Sequence, residues 1–414
     1  MSVDVAIVGA GLAGLCCARE LCARGIDAHV YEASDAVGGR VRTDEVDGFR
    51  LDRGFQVFLT AYPEAQRVLD YDALDLRAFD PGAQIWLGDG FDHIGDPLRR
   101  PSTLWPTLTA GVGGLADKVR VLGLRRAVTR PSLDALWRRP EITTEAALRE
   151  RYGFSERMID RFFRPFLGGV FLDRELTASS RSFEFYFRMF GRGDAAVPAR
   201  GMQAIPEQIA SLLPDGALHL NARVATAEPT RIALAGGETI EARAVVVATE
   251  APEAATLLPG FDALPSRSTV CIYWAADDAP SRERLLMLDG TGSGPVNNVQ
   301  VMSNVAREYA PDGAALISAS VLGHPVQTDD ALVAEARDQL RGWFGDTVDA
   351  WRTLRVDRVL HALPDLRSLD PPERSVLWDN GVYVAGDHRS NASINGAMVS
   401  GRHAAEAVGA ALGA

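Results

Sequence analysis

Residues Gly9-Ala10-Gly11-Leu12-Ala13-Gly14, with Glu32 eighteen positions further on, have the types and spacing to hold a dinucleotide. Gly9 permits a tight turn after a strand, Gly11 lets the backbone approach a pyrophosphate, and Gly14 lets the next helix pack closely on that strand. Glu32 closes a second strand, where a carboxylate accepts the ribose hydroxyls of adenosine. A second constellation lies at the far end of the chain. There Gly386-Asp387 forms a turn, and Asp387 is placed to accept hydrogen bonds from a ribityl or phosphate-bearing group. Ser393 and Ile394 then open a helix whose N-terminus offers unpaired N–H groups and a positive dipole end.

These residues act only if the right elements carry them. The apolar run 3–8 (VDVAIV) predicts a buried strand, Leu15 to Arg24 a helix ended by Gly25, and Ile26 to Tyr31 a second strand. Together they make a βαβ unit. At the other end, 381–385 (GVYVA) predicts a short strand and 394–412 a helix of small residues. In the middle, 195–210 reads as a turn leading into a helix, 218–227 as a strand, LAGGET as a hairpin, and 240–249 as a hydrophobic strand ending in Ala-Thr.

Beyond Glu32 the chain does not continue as a nicotinamide-type unit but runs through Gly38-Gly39-Arg40, Arg42 and an Asp52-Arg53-Gly54 turn. That run resembles the flavin-containing amine oxidase and carotenoid desaturase superfamily, to which protoporphyrinogen oxidases also belong. The alternative for Arg40 and Arg42 is solvent-facing charge. The Ala-Gly-Asp turn before the last helix and the Gly-Met turn near 201 are similar to the same superfamily. The resemblance implies FAD as cofactor. Its contacts would come from Gly9, Gly11, Ala13, Gly14, Glu32, Gly39, Arg40, Gly54, Phe55, Val224, Gly386, Asp387, Ser393, Ile394 and Ala397. It also implies a strand whose Val224 backbone meets the adenine. With no cysteine near the C-terminal motif, the flavin is expected to be non-covalent.

The expected fold is α/β, with a Rossmann-like FAD-binding domain assembled from discontinuous segments and a second domain of mixed sheet plus helices, the helices on one side of that sheet. Residues 1–60, 195–252 and 350–414 must converge on one site, leaving 61–194 and 253–349 to bind substrate. The length of 414 residues favours two joined domains. A hydrophobic fraction of 47% supports large cores, and a net charge of -12 leaves no basic footprint for nucleic acid. Cys16, Cys17, Cys22 and Cys271 have neither zinc nor redox spacing, and no metal site is expected. No window of eighteen uninterrupted apolar residues occurs, so a cytoplasmic protein is expected. Between Pro97 and Pro140, however, Leu104, Trp105, Leu108, Val119, Val121, Leu122 and Trp137 interleave with arginines, a pattern compatible with peripheral membrane contact or with a soluble cap helix.

Two absences narrow the substrate. The resemblance implies that an amine-oxidising member would carry a lysine on a strand of the substrate domain and two rings before the last helix; the strand at 268–274 has no lysine and Arg389 to Ser393 no aromatic ring, so this segment supplies no cage for an amine. Residues 52–63 resemble phytoene and squalene-associated desaturases, with Gln56 at their usual histidine. No catalytic side chain is identified, and His388 reads as a surface loop residue or a cap. The expected activity is FAD-dependent dehydrogenation of an apolar small molecule, in the manner of isoprenoid desaturases. An amine or protoporphyrinogen oxidase is the alternative within the class, and a non-catalytic flavin-binding protein the alternative outside it.

Overall fold

The computed structural model describes residues 2–96, 99–369, 371–372 and 374–413. Strand Ser2–Val8 forms because its β-branched and small side chains are buried on both faces, Val5 and Ile7 toward one core and Ala6 and Val8 toward another. It pairs in parallel with Ala28–Tyr31 on one side and with Thr239–Val247 on the other. Leu218–His219 and Tyr383–Val384 add further parallel pairs, and Arg231–Leu234 with Val224–Glu228 completes a seven-stranded sheet in antiparallel fashion.

Several boundaries differ from the sequence reading. The first helix is Leu12–Ala23, so half of the glycine motif is already helical, and the second strand begins at Ala28. The single strand expected over 218–227 is two strands at opposite edges of the sheet, because Asn221 in a left-handed conformation turns the chain between them. Strand Ala195–Pro198 precedes the helix Ala204–Ala210 and pairs with Phe58–Leu59 and Leu76–Ala78.

A second seven-stranded sheet runs in the order Arg352–Pro364, Ser266–Ala276, Ala315–Leu322, Val296–Val301, Leu286–Asp289, Gly82–Trp86, Phe91–Gly95. Arg352–Pro364 therefore belongs to this sheet and not to the sheet of the glycine motif, with which the sequence reading grouped it; its alternating sequence pairs antiparallel with Ser266–Ala276. Helices were expected on one side only. Instead, helix Asp329–Phe344 packs Leu332, Ala336 and Leu340 into the core around Trp274, while Arg164–Phe171 approaches the sheet through Val296–Val301 and Ala315–Leu322. The remaining helical layer includes Leu115–Thr129 packed on Ser180–Arg192.

The two ends of the chain meet at the first and last helices, Leu12–Ala23 and Ile394–Leu412. They approach closely because glycine stands at the crossing: a Cβ on Gly401 would lie 2.1 Å from the Ala13 carbonyl oxygen. Behind the glycine loop, a Cβ on Gly14 would likewise lie 2.0 Å from the Gly9 carbonyl oxygen. Overpacking at such points costs about 1–3 kcal/mol.

Candidate functional site

Gly9 turns the chain out of the first strand at φ +102°, and Gly11 then caps the first helix in extended geometry. The Ala10 N–H donates to Glu32 Oε2 at 2.7 Å, while Glu32 Oε1 accepts from the Ser34 N–H at 2.8 Å and its hydroxyl at 2.7 Å. Glu32 thus holds the glycine loop in shape, a duty in addition to the ribose contact the sequence suggests. The carboxylate has acceptor capacity left over, and Glu32 lines the cavity. A Cβ on Gly11 would meet no protein atom within 4 Å and would project into that cavity. Gly14 does not face it and acts by packing behind the loop.

Gly38 and Gly39 take φ of +117° and +59°, and the Gly38 N–H bonds the Ala10 carbonyl at 2.8 Å, which brings Arg40 beside the glycine loop. The guanidinium donates to Asp387 Oδ1 at 2.7 Å and to the Ala362 carbonyl at 2.8 Å. Burial opposes the Arg40 charge, but the carboxylates of Asp387 and, more weakly, Glu250 together raise the pKa. Arg40 is therefore neither loose surface charge nor an isolated contact; it ties the N-terminal motif to the C-terminal one. Arg42 turns away and pairs with Asp35 at 3.0 Å.

His388, expected as a surface loop residue or a cap, is 2% exposed, and neither ring nitrogen has a hydrogen-bond partner among the described residues. Its ring fills the space beneath Gly386, where a Cβ would come within 2.4 Å of it, and meets Phe261 edge-on. Burial pushes its pKa down to about 4, so the ring is neutral at pH 7. It takes the place of an apolar wedge, which is why the surface reading of a histidine in a charged turn fails here.

Ser393 caps the last helix, accepting from the Gly396 N–H at 2.9 Å. The Ile394 and Asn395 N–H groups precede any intrahelical acceptor. Rings do surround this helix start, although the preceding segment has none: the Tyr186 hydroxyl donates to the Ala392 carbonyl, and Tyr62 also lines the cavity. They come from elements remote in sequence, so no local motif could show them. Each packs on a phenylalanine, Tyr62 stacking on Phe185 at 6.2 Å and Tyr186 meeting Phe171 edge-on at 5.6 Å. Burial pushes both phenols well above their usual pKa, keeping them protonated.

One cavity of about 860 Å³ joins these parts. Gly9, Gly11, Ala13, Glu32 and Val224 line it together with Gly39, Arg40, Gly54 and Phe55, and with Gly386, Asp387, Ser393, Ile394 and Ala397. Beyond them it continues into a chamber walled by Phe162, Phe166, Phe187, Phe190, Val121, Leu122 and Leu286, with Gln56, Thr269, Asn298 and Ser320 as uncharged polar points. Its far rim carries Asp80, Asp96, Arg99, Arg125 and Asp194. Among the described residues lining the cavity there is no lysine, histidine or cysteine, and no cluster of metal-ligating side chains occurs among the described residues. The phenylalanine wall went unmarked in the sequence, although the spacing in SFEFYFRMF could have marked it.

Such a site, a glycine-loop dinucleotide groove running into an apolar chamber, defines a dinucleotide-dependent redox fold. The profile of the flavin containing amine oxidoreductases matches residues 12–409, and the chain belongs to that family. Among curated proteins it is similar to coproporphyrinogen III oxidase of Propionibacterium freudenreichii, 30% identical over 171 residues, covering 40% of this chain and 31% of that protein. It is also similar to the zeta-carotene-forming phytoene desaturase of Myxococcus xanthus, 27% identical over 295 residues, covering 60% of this chain and 54% of the relative. In both cases less than two thirds of the relative is matched. Among solved structures, an oxidoreductase of Methanosarcina mazei aligns with a TM-score of 0.75 at 17% identity, covering 98% of this chain and 100% of the other, and shows the shared fold. FAD is the cofactor of this family, and the groove fits it: Gly11 leaves room for phosphates, and two helix N-termini, at Leu12 and Ile394, border the same cavity.

Proposed function

We propose that this protein is an FAD-dependent oxidoreductase that dehydrogenates an apolar small molecule of isoprenoid type, with the flavin held non-covalently. The observation that carries the reading is the phenylalanine-walled chamber continuous with the dinucleotide groove. When bound, FAD supplies the two-electron acceptor. The chain's own residues bind, orient and exclude water. The glycine loop, Glu32 and the Arg40–Asp387 pair would hold the cofactor, with Val224 at the adenine end. The protonated Tyr62 and Tyr186 present ring faces and no base, the Tyr186 O–H being engaged by the Ala392 carbonyl, and the phenylalanines keep water from the reacting bond. In this division of labour the sheet of the glycine motif serves the cofactor, and the second sheet with the helical layer serves the substrate.

A porphyrinogen substrate is the second reading, favoured by Arg99 and Arg125 at the rim, where cations could meet carboxylates. The deciding experiment is anaerobic titration of the FAD-loaded protein with a polyene, a porphyrinogen and a panel of amines, following bleaching of the flavin band. Bleaching by the polyene alone supports the first reading, and bleaching by the porphyrinogen alone supports the second. A protein that is photoreduced yet inert to oxygen and quinones would instead be a flavin-binding module without turnover. The reading extends to a cytoplasmic protein in peripheral contact with a membrane.

A further inference from the structure

The helix Leu115–Thr129 is built inside out. Its inward face buries Asp117, Leu124 and Val128. Its outward face presents Leu115, Val119 and Leu122, which are 67%, 68% and 50% exposed and succeed one another at helical spacing of four and three. The preceding helix Leu104–Thr109 buries none of its side chains and adds Leu104 at 49% and Trp105 at 74% exposure. These are five of the ten large apolar side chains that stand exposed among the described residues, and they are gathered within two neighbouring helices. Scattered single exposures are ordinary; a contiguous patch marks an interaction surface.

Charge says what covers it. Between Arg99 and Pro140 there are nine cations, including the chain's one lysine, against only Asp117 and Asp134, although the chain as a whole carries -12. Arg126, on the same face as Leu115, Val119 and Leu122, together with Arg130 and Arg138, is exposed and forms no ion pair with a described residue. An apolar stripe flanked by unpaired arginines matches the boundary between acyl chains and anionic headgroups. The patch also touches the chamber: Leu122 is both half-exposed and part of the cavity wall, beside Val121 and Arg125.

We infer that the face formed by Leu104–Thr109 and Leu115–Thr129 docks on an anionic lipid bilayer and opens the substrate chamber directly onto it. The inference rests on the reading of an apolar substrate, because only such a molecule would pass from acyl chains into the chamber. The face dips into one leaflet and does not span it, as no helix among the described residues is long and apolar enough to cross a membrane.

The test is co-sedimentation of the FAD-loaded protein with vesicles of phosphatidylcholine alone or of phosphatidylcholine with phosphatidylglycerol. Two double variants lie outside the cavity lining: Trp105→Asp with Val119→Asp, and Arg126→Glu with Arg130→Glu. Wild type should prefer the anionic vesicles by about tenfold or more at low salt. The aspartate pair should abolish binding to both vesicles, and the glutamate pair should abolish only the anionic preference. Flavin content of each variant, measured on the same samples, reports intact folding. Failure of flavin-loaded wild type to bind anionic vesicles overturns the inference, as does undiminished binding by the flavin-loaded aspartate pair. A wild-type dimer that the aspartate pair dissociates would also overturn it, since a second copy would then cover the face. Each of these results leaves the flavin titration, and so the proposed activity, separately decided.

Discussion

At the scale of single residues, Gly11 and Asp52 make opposite demands on a side chain. Gly11 has open cavity where a Cβ would be, so Gly11→Val should leave the fold unchanged while filling the space kept for phosphate. Flavin retention on gel filtration should fall at least about tenfold, with an unaltered thermal midpoint of the apoprotein. Asp52 is buried and accepts from the Thr43 hydroxyl at 2.6 Å, the Met202 N–H at 3.0 Å and the Tyr309 hydroxyl at 2.8 Å. Burial nevertheless pushes its pKa from 3.8 up to about 6. Between those values the unfolded chain has released the proton that the folded protein still holds, so this group lowers stability as pH rises from about 4 to 6. Asp52→Asn keeps the shape without the charge. Chemical denaturation of both proteins at pH 4 and pH 7 should show the variant gaining, relative to wild type, on the order of 2 kcal/mol at the higher pH. Residue types revealed Gly11, Glu32 and Asp387 as candidates but could not reveal that Glu32 also ties down the Ala10 N–H or that Arg40 answers Asp387, because such partners are set by a fold that joins positions 347 apart.

Among the elements, the last helix is the one whose tuning of the cofactor can be isolated. Ile394 stands at its first position and Ser393 before it is extended, with φ −149° and ψ 166°, a conformation that a following proline favours. Ile394→Pro should therefore keep the helix and the FAD while deleting one N–H at the positive end. Its reduction potential, measured by dye equilibration, should drop by about 30 mV, the equivalent of one charge-assisted hydrogen bond in a two-electron couple. An unchanged potential in the flavin-loaded variant would withdraw the roles of Ser393, Ile394 and Ala397. Elements with strong periodicity, the first strand and the last helix, were legible within two residues. The segment 218–227 was not, since its alternating residues suit either sheet edge and a left-handed Asn221 decides where it breaks. Likewise, nothing local to Arg352–Pro364 says which of two sheets it joins.

Considered whole, the molecule sets an apolar chamber between the second sheet and the helical layer, and its selectivity should derive from that placement. Primary amines and polyamines should produce no flavin bleaching above background in an anaerobic stopped-flow assay, because the described chamber lining carries aromatic and aliphatic walls and no carboxylate outside the ion-paired rim. Rapid bleaching by a simple amine would overturn the isoprenoid reading. The α/β class and the cofactor were legible because the glycine loop and its flanking strands form one short local unit; the chamber was hidden because its walls come from helices that only tertiary packing brings together. The contact between the first and last helices also has a consequence in time. A ribosome adding 5–20 residues per second leaves roughly 20–80 s between the emergence of the glycine loop and that of Ile394–Leu412. Throughout that interval the first strand lacks its neighbour Thr239–Val247 for more than half the chain, and the loop lacks its lid of small residues. The cofactor site then stays incomplete until the last helix has been made, and the nascent chain's exposed Val-Ile edge is a ready client for chaperones until Thr239–Val247 pairs with it.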